Sequence, residues 1–240
     1  IDEAIALRRE LFGDDALPTL LSRVERATTL DKLHDYEAAA LEYEALVATL
    51  EDALGPLHNF TLTTLNNEAV TLVALKRHAE AEAIYREVLA RKRQKFAGEP
   101  AATIAVTLQN IATLLSSQGR DAEAVPLLFE VRDIFQSVLE PGNYRNAYPD
   151  LTLSRIYARI GDYDAMESSA RNARRILEAG VPEGHPAREM AGCRHGEALI
   201  RLGRVEAGRA LLEGAIGRLE TQDNLPAVYL DECREAIELL

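Results

Sequence analysis

The chain has 240 residues, 47% of them apolar and only 5% aromatic, and alanine and leucine together fill 72 positions. This bias toward strong helix formers excludes an all-β chain, and the apolar content argues against disorder. The formal charge of −12 comes without a basic tail or stripe, so we expect no nucleic-acid partner.

A repeated pattern runs along the chain with a period of about 42 residues. Five turn-like positions recur at this period, and they are His34, Lys76, Gly119, Gly161 and Gly203. Each period contains two apolar-periodic runs of about 16 to 19 residues separated by a short turn. The pattern predicts a helical hairpin, which we describe as helix A, turn, helix B.

The predicted elements follow in chain order. Residues 1–12 are expected to form a helix B whose partner lies upstream. Helices A are predicted near 17–33, 59–75, 101–118, 146–160 and 186–202, and helices B near 35–53, 78–96, 121–139, 162–179 and 204–220. We expect a single array over 1–240: a half repeat 1–13, repeats 14–55, 56–98, 99–142, 143–184 and 185–225, and a closing helix 226–240.

Small residues recur at one position of each helix, and larger residues follow three or four positions later. The small columns are Ala27, Ala69, Ala112, Ser154 and Gly196 in helices A, and Ala39, Ala81, Ala124, Met166 and Gly208 in helices B. Small residues permit close helix contact, and the large residues fill the seam. This pattern resembles the tetratricopeptide repeat. The length of the period, with Thr64-Leu-Asn-Asn67 and Thr107-Leu-Gln-Asn110, is similar to the kinesin-light-chain type.

The resemblance implies an all-α, right-handed superhelical solenoid of antiparallel helix hairpins, with a concave groove lined by helices A. In this family the groove holds peptides or other proteins. The stacking is also expected from the sequence itself, because one hairpin cannot bury its apolar face without a neighbour. We therefore expect a non-catalytic scaffold for a protein or peptide partner.

The candidate groove residues lie two positions before or one position after the small column, or on the same side of the helix as those positions. They are Asn66, Asn67, Asn110, Thr113, Arg155, Arg159, Arg194 and Arg201. In the family, paired asparagines like those at 66 and 67 hydrogen-bond a bound peptide backbone. The alternative is that Asn67 and Asn110 only cap or bridge adjacent helices. The arginines favour a carboxylate-bearing or phosphorylated ligand, and the alternative is that they pair with internal glutamates.

No pattern typical of catalysis or of a metal or cofactor site is present. The His195-Gly-Glu197 sequence lacks the companion cysteines of a zinc deaminase, and we expect neither cofactor nor metal. Cys193 and Cys233 are expected to be free thiols because their spacing fits no metal site or disulfide framework. Arg26 and Glu68 occupy the same column in successive repeats, and we expect them to pair across the interface.

The wider context rests on resemblance. The segment Glu3–Gly13 looks like the C-terminal repeat regions of bacterial serine/threonine kinases, which implies a sensing or docking module. Two alternatives are a repeat domain that binds a small signalling peptide and switches an attached effector, and a structural self-association module. We expect no membrane span in 1–240, and the sequence leaves open the oligomeric state and a cytoplasmic or, after an upstream span, extracytoplasmic location.

Overall fold

The computed structural model describes residues 1–222 and 227–238, and these residues form α-helices and one short 3-10 helix joined by turns and loops. The all-helical fold class is confirmed. The helices are α1 (Asp2–Phe12), α2 (Leu17–Lys32), α3 (Tyr36–Leu54), α4 (Asn59–Ala74), α5 (His78–Lys95), α6 (Ala102–Ser117), α7 (Asp121–Val138), α8 (Tyr148–Ile160), α9 (Tyr163–Gly180), α10 (Pro186–Arg201), α11 (Val205–Glu220) and α12 (Ala227–Ile237). The 3-10 helix spans Tyr144–Ala147.

The ten helices of the five predicted hairpins are present, and their ends lie within two residues of the predicted ones. The even-numbered helices α2 to α10 correspond to helices A, and the odd-numbered helices α3 to α11 correspond to helices B. Helix α12 corresponds to the predicted closing helix, whose residues 226, 239 and 240 lie outside the described ranges. The helices fall into two compact units, which are residues 1–118 and residues 119–240. None of the described helices is both long enough and apolar enough to span a membrane.

The five turn positions share a positive φ. Gly119, Gly161 and Gly203 have φ values of 74°, 79° and 78°, and His34 and Lys76 adopt 63° without being glycine. A residue with a positive φ ends helix A. The turn geometry is therefore the same in all five hairpins, although two of them place a side chain in the unfavourable left-handed region.

Two aspartates that follow these turns cap helices B. Asp35 accepts a hydrogen bond from the backbone N–H of Ala38, and Asp162 accepts one from Ala165, at 3.3 and 3.1 Å. Asp121 does not cap α7, because it is already the first residue of this helix, and its carboxylate accepts from Arg159.

In unit 1, residues 1–118, each helix packs on the next one along the chain. The small columns lie at the contact: Ala27 and Ala39 are fully buried and pack with Tyr43 and Leu30. The charged Lys92 is also buried, and its ammonium donates to the carbonyl of Thr103 at 3.0 Å. Burial lowers the pKa of Lys92 to about 8.

In unit 2, residues 119–240, helices α10 and α11 approach each other closely. A Cβ atom added to Gly208 would lie 2.5 Å from the carbonyl oxygen of Gly196, so the backbones touch where both small columns hold glycine. The expectation of free thiols is wrong, because Cys193 and Cys233 form a disulfide that joins α10 to α12. Both cysteines are buried in an apolar cluster that also contains Leu212.

The predicted ion pair between Arg26 and Glu68 is also wrong. Arg26 instead pairs with Glu42 of α3 and, at 3.4 Å, with Asp2 of α1. Glu68 lies near other carboxylates, of which Glu44 has the largest effect, and burial together with this repulsion raises the pKa of Glu68 to about 7. Arg26 and Glu68 occupy a position of helix A that faces helices B, so the two side chains in successive repeats do not contact each other.

Candidate functional site

The asparagines of unit 1 form a ladder between adjacent helices A. Asn110 of α6 donates from Nδ2 to Oδ1 of Asn66 on α4 at 3.3 Å, and the same oxygen accepts from the hydroxyl of Thr107 at 3.5 Å. The side chain of Asn67 lies close enough to the hydroxyl of buried Tyr43 in α3 to lower the pKa of that hydroxyl, although burial raises it more. The bridging alternative therefore describes part of what these amides do. Each amide offers two donors and an oxygen acceptor, so these bonds do not exhaust its capacity.

A cavity of about 210 Å³ lies beside this ladder, between α4, α5 and α6. Asn110 and the exposed residues Val70 and Thr113 line it. Val70 and Thr113 both directly follow the small column of their helix, so they occupy equivalent positions one period apart. The cavity wall combines methyl groups with hydroxyl and amide groups.

Unit 2 contains a larger cavity of about 630 Å³ between α8, α10 and α12. Three of its lining residues are Tyr148, Met190 and Glu232, each of which follows the one before by a full period of the sequence. The same position of the repeat therefore lines the cavity in each of the three helices. Tyr229 adds a second aromatic ring, and Arg155 and Arg194 provide positive charge.

The two arginines of this cavity differ in their surroundings. The guanidinium of Arg194 is largely buried and paired with Glu232, and burial lowers its pKa from the ordinary value. Arg155 is exposed, and within residues 1–222 and 227–238 no carboxylate lies at ion-pair distance from it. Arg155 also lines an adjoining cavity of about 370 Å³, whose other walls include Glu197 and Glu235.

The remaining two predicted arginines have intramolecular partners. Arg159 donates from Nε to Asp121 at 2.9 Å. Arg201 lies 3.6 Å from the carboxylate of Glu197, and its Cζ lies 5.5 Å from the ring centroid of Tyr163. Of the four arginines singled out from the sequence, Arg155 is thus the one that has no carboxylate partner in the described part of the chain, and its charge is available to an incoming anion.

Several residues that line the cavity of about 630 Å³ were not predicted from the sequence, although the repeat period relates them to one another. Tyr148 and Met190 share a column six positions before the small residues, and one further period leads to Glu232 in α12. The sequence pattern predicted this last segment only as a closing helix. Its position shows that α12 continues the helix A series.

A comparison with protein-family models finds the tetratricopeptide repeat at residues 61–97 and 104–143. A search of curated proteins finds no significant match. These two segments are therefore similar to the tetratricopeptide repeat, and the helix hairpins described above continue the same hairpin pattern outside them.

Solved structures with the same fold include kinesin-light-chain-like proteins. BtubC (BKLC) from P. vanneervenii matches with a TM-score of 0.78 and 17% identity, over 94% of this chain and 91% of that one. The nearly identical repeats of a putative kinesin light chain from Podosopora anserina match with a TM-score of 0.69 and 20% identity, over 86% and 97%. YrrB, described as a tetratricopeptide repeat protein with an unusual peptide-binding site, has a TM-score of 0.55 and 15% identity, over 98% and 100%. The kinesin-light-chain-like character of the fold is thereby confirmed.

Proposed function

We propose that the chain is a non-catalytic scaffold that binds an acidic peptide or protein segment along its helices A. The observation that carries this proposal is the cavity of about 630 Å³ in unit 2, where one repeat column from α8, α10 and α12 lies beside Arg155. An acidic side chain of the ligand pairs with Arg155, and a neighbouring apolar side chain packs against Tyr148 and Met190.

The chemistry of the cavity supports this division of roles. An exposed guanidinium that is not already paired with a carboxylate gains a charge-assisted hydrogen bond when an anion binds, without first breaking an existing pair. Aromatic and thioether side chains bury apolar area at low conformational cost and adapt to different shapes. In unit 1, the amides of Asn66, Asn67 and Asn110 supply the donors and acceptors that an extended peptide backbone needs, with Thr113 beside them.

The test is a selection of peptides from a displayed library on the full 240-residue chain, followed by fluorescence anisotropy with the selected peptides. We expect acidic residues next to apolar ones in the selected sequences. Arg155→Glu should weaken their binding at least tenfold, because it replaces attraction by repulsion.

Arg209→Glu is the matched control, since Arg209 is exposed on helix B α11 and the charge change is identical. It should alter the affinity less than threefold, by long-range electrostatics alone. Equal losses in the two variants, or selected peptides without acidic residues, would contradict the proposed site. Circular dichroism of both variants establishes that the helices are intact.

The wider context that we propose is a sensing or docking region within a larger bacterial signalling protein, such as a serine/threonine kinase. Support comes only from the resemblance of the segment Glu3–Gly13 to such repeat regions. Sequencing the complete gene tests it: a kinase domain encoded in the same reading frame is the expected result, and its absence would overturn this context while leaving the peptide-binding proposal intact.

A further inference from the structure

A second polar cavity of unit 2 shares no lining residue with the one assigned to the peptide. It has a volume of about 350 Å³ and lies between α7, α8 and α9. Its lining includes Arg132 of α7, Asp150 of α8, and Ser168, Arg171, Asn172 and Arg175 of α9. The α9 residues are spaced at i, i+3, i+4 and i+7, which places them on one face of the helix.

Hydrogen bonds and an ion pair at this cavity hold two of the arginines in place. Asn172 donates from Nδ2 to the carboxylate of Asp150, and its Oδ1 accepts from Nη2 of Arg175 at 3.0 Å. Arg132 lies 3.6 Å from the same carboxylate, and its guanidinium stacks 4.8 Å from the ring centroid of Phe129. Asp150 is only 1% exposed, so the anchor of this arrangement is buried.

The guanidinium groups keep most of their donors after these contacts. A guanidinium has five N–H groups, and Arg175 uses one of its nitrogens for Asn172 while Arg132 directs one nitrogen to Asp150. Arg171 is exposed, and its carboxylate partner among the described residues is Glu167, one helical turn away, at 3.6 Å. That carboxylate is shared with His195 at 3.2 Å and Arg204 at 3.8 Å.

The charge at this cavity is unusual for a chain with a net charge of −12. Among the described residues that line it, three guanidinium groups face the single carboxylate of Asp150, so the lining has an excess of two positive charges. Glu167, which lies outside the lining, offsets the charge of Arg171 in part. The mutual repulsion of the guanidinium groups is relieved when an anion enters.

The geometry points to an oxyanion site that binds a phosphate group, either as free phosphate or on a larger molecule. A phosphate carries about two negative charges at neutral pH and presents several acceptor oxygens, which matches the excess charge and the donors of Arg132, Arg171 and Arg175. A planar carboxylate would engage a single guanidinium fork and leave the other cations unpaired. The exposed hydroxyl of Ser168 provides a further donor at the rim.

The experiment titrates the ¹⁵N-labelled chain with inorganic phosphate against sodium chloride of equal ionic strength, and follows amide shifts by NMR. We expect saturable shifts around residues 168–175 that chloride does not produce. Arg175→Gln should weaken phosphate binding at least fivefold, since it removes a charged donor held by Asn172.

Arg174→Gln is the matched control, because Arg174 is the adjacent residue of α9, does not line the cavity, and pairs with Glu178. It should change the phosphate affinity less than twofold. Equal effects of the two variants, or shifts with phosphate no larger than those with chloride, would overturn the proposal.

A second arm repeats the titration with O-phosphoserine and with a phosphoserine-containing peptide. If all three probes bind with similar affinity and Arg175→Gln weakens each, the site takes the free phosphate group. If the peptide binds more tightly with the same sensitivity, the phosphate is carried on a protein side chain. A peptide affinity that depends on Arg155 instead of Arg175 would overturn the assignment to this cavity.

Discussion

Gly208 and Gly217 both lie in α11, but only Gly208 contacts α10. We therefore expect their replacement by alanine to change the stability of the protein in opposite directions. In Gly208→Ala, the new Cβ atom would lie 2.5 Å from the carbonyl oxygen of Gly196, and 2.6 Å from Cγ1 and 3.1 Å from the backbone nitrogen of Ile200. Two of these three atoms belong to the backbone, so a rotamer change of one side chain cannot remove the clash. The two helices must move apart.

The expected magnitude follows from two opposing contributions. Overpacking at a close contact costs about 1–3 kcal/mol, and a backbone clash lies at the upper end of that range. Replacing glycine by alanine within a helix gains about 1 kcal/mol. We therefore expect Gly208→Ala to lower the free energy of unfolding of unit 2 by about 2 kcal/mol.

Gly217→Ala is the internal control, since Gly217 is exposed in the same helix and an added Cβ there has no neighbour within 4 Å. It should raise the free energy of unfolding by about 0.5–1 kcal/mol. The assay is urea unfolding followed by circular dichroism at a helix-sensitive wavelength. A stabilising effect of Gly208→Ala would refute the close approach of the two helices.

Three further predictions concern stability. Glu68 has a pKa of about 7 in the folded chain against an ordinary 4.5, so the wild type should lose stability as the pH rises through this window. Glu68→Gln should abolish that loss and stabilise the chain at pH 8 by about 1–2 kcal/mol, after allowance for partial solvent screening. The prediction is contradicted if the free energies of unfolding of the two proteins change with pH in parallel. Reduction of the Cys193–Cys233 disulfide, which closes a segment of 40 residues, should lower the free energy of unfolding by about 2–4 kcal/mol, and identical urea curves with and without dithiothreitol would show that the cross-link is not formed. Lys76→Gly should stabilise the protein by about 0.5–1 kcal/mol because the φ of Lys76 is 63°, and Gly161→Ala should destabilise it by about 1 kcal/mol because the φ of Gly161 is 79°. Thermal melts in which both variants shift the melting temperature in the same direction would exclude the shared turn geometry.

The repeat period predicted the helices and turns of this protein well, because these features depend on residues that are close in the sequence. A left-handed residue must end each helix A, and Gly119, Gly161 and Gly203 mark that position without knowledge of the packing. Gly196 and Gly208 likewise occupy columns where any hairpin of this type brings its helices into contact. Such features depend on a few neighbouring residues, so they can be read from the sequence.

Side-chain partners were less predictable, because they depend on which neighbouring helix each column faces. Arg26 and Glu68 share a column, but that column faces helices B, where Arg26 meets Glu42. The disulfide was missed for a related reason. Cys193 and Cys233 have a sequence separation of 40, close to one period, which places them on adjacent helices A once α12 is recognised as one of them.

The sequence alone does not show which of the candidate groove arginines are already paired with carboxylates. The period places Arg155 and Glu197 in one column, and Arg159 and Arg201 in another. Whether each guanidinium is already paired depends on rotamers and on α7 and α12, as the contact between Arg159 and Asp121 illustrates. Only the three-dimensional arrangement distinguishes Arg155 from the other arginines.

The most direct test of the central claim, ligand binding along helices A, is photo-crosslinking with a selected peptide. The peptide carries a photoreactive group beside its acidic residue, and mass spectrometry locates the attachment sites on the full chain. We predict crosslinks on α8, α10 and α12 near Tyr148, Met190 and Tyr229, which line the cavity of about 630 Å³. Crosslinks confined to helices B α9 and α11 would contradict the account.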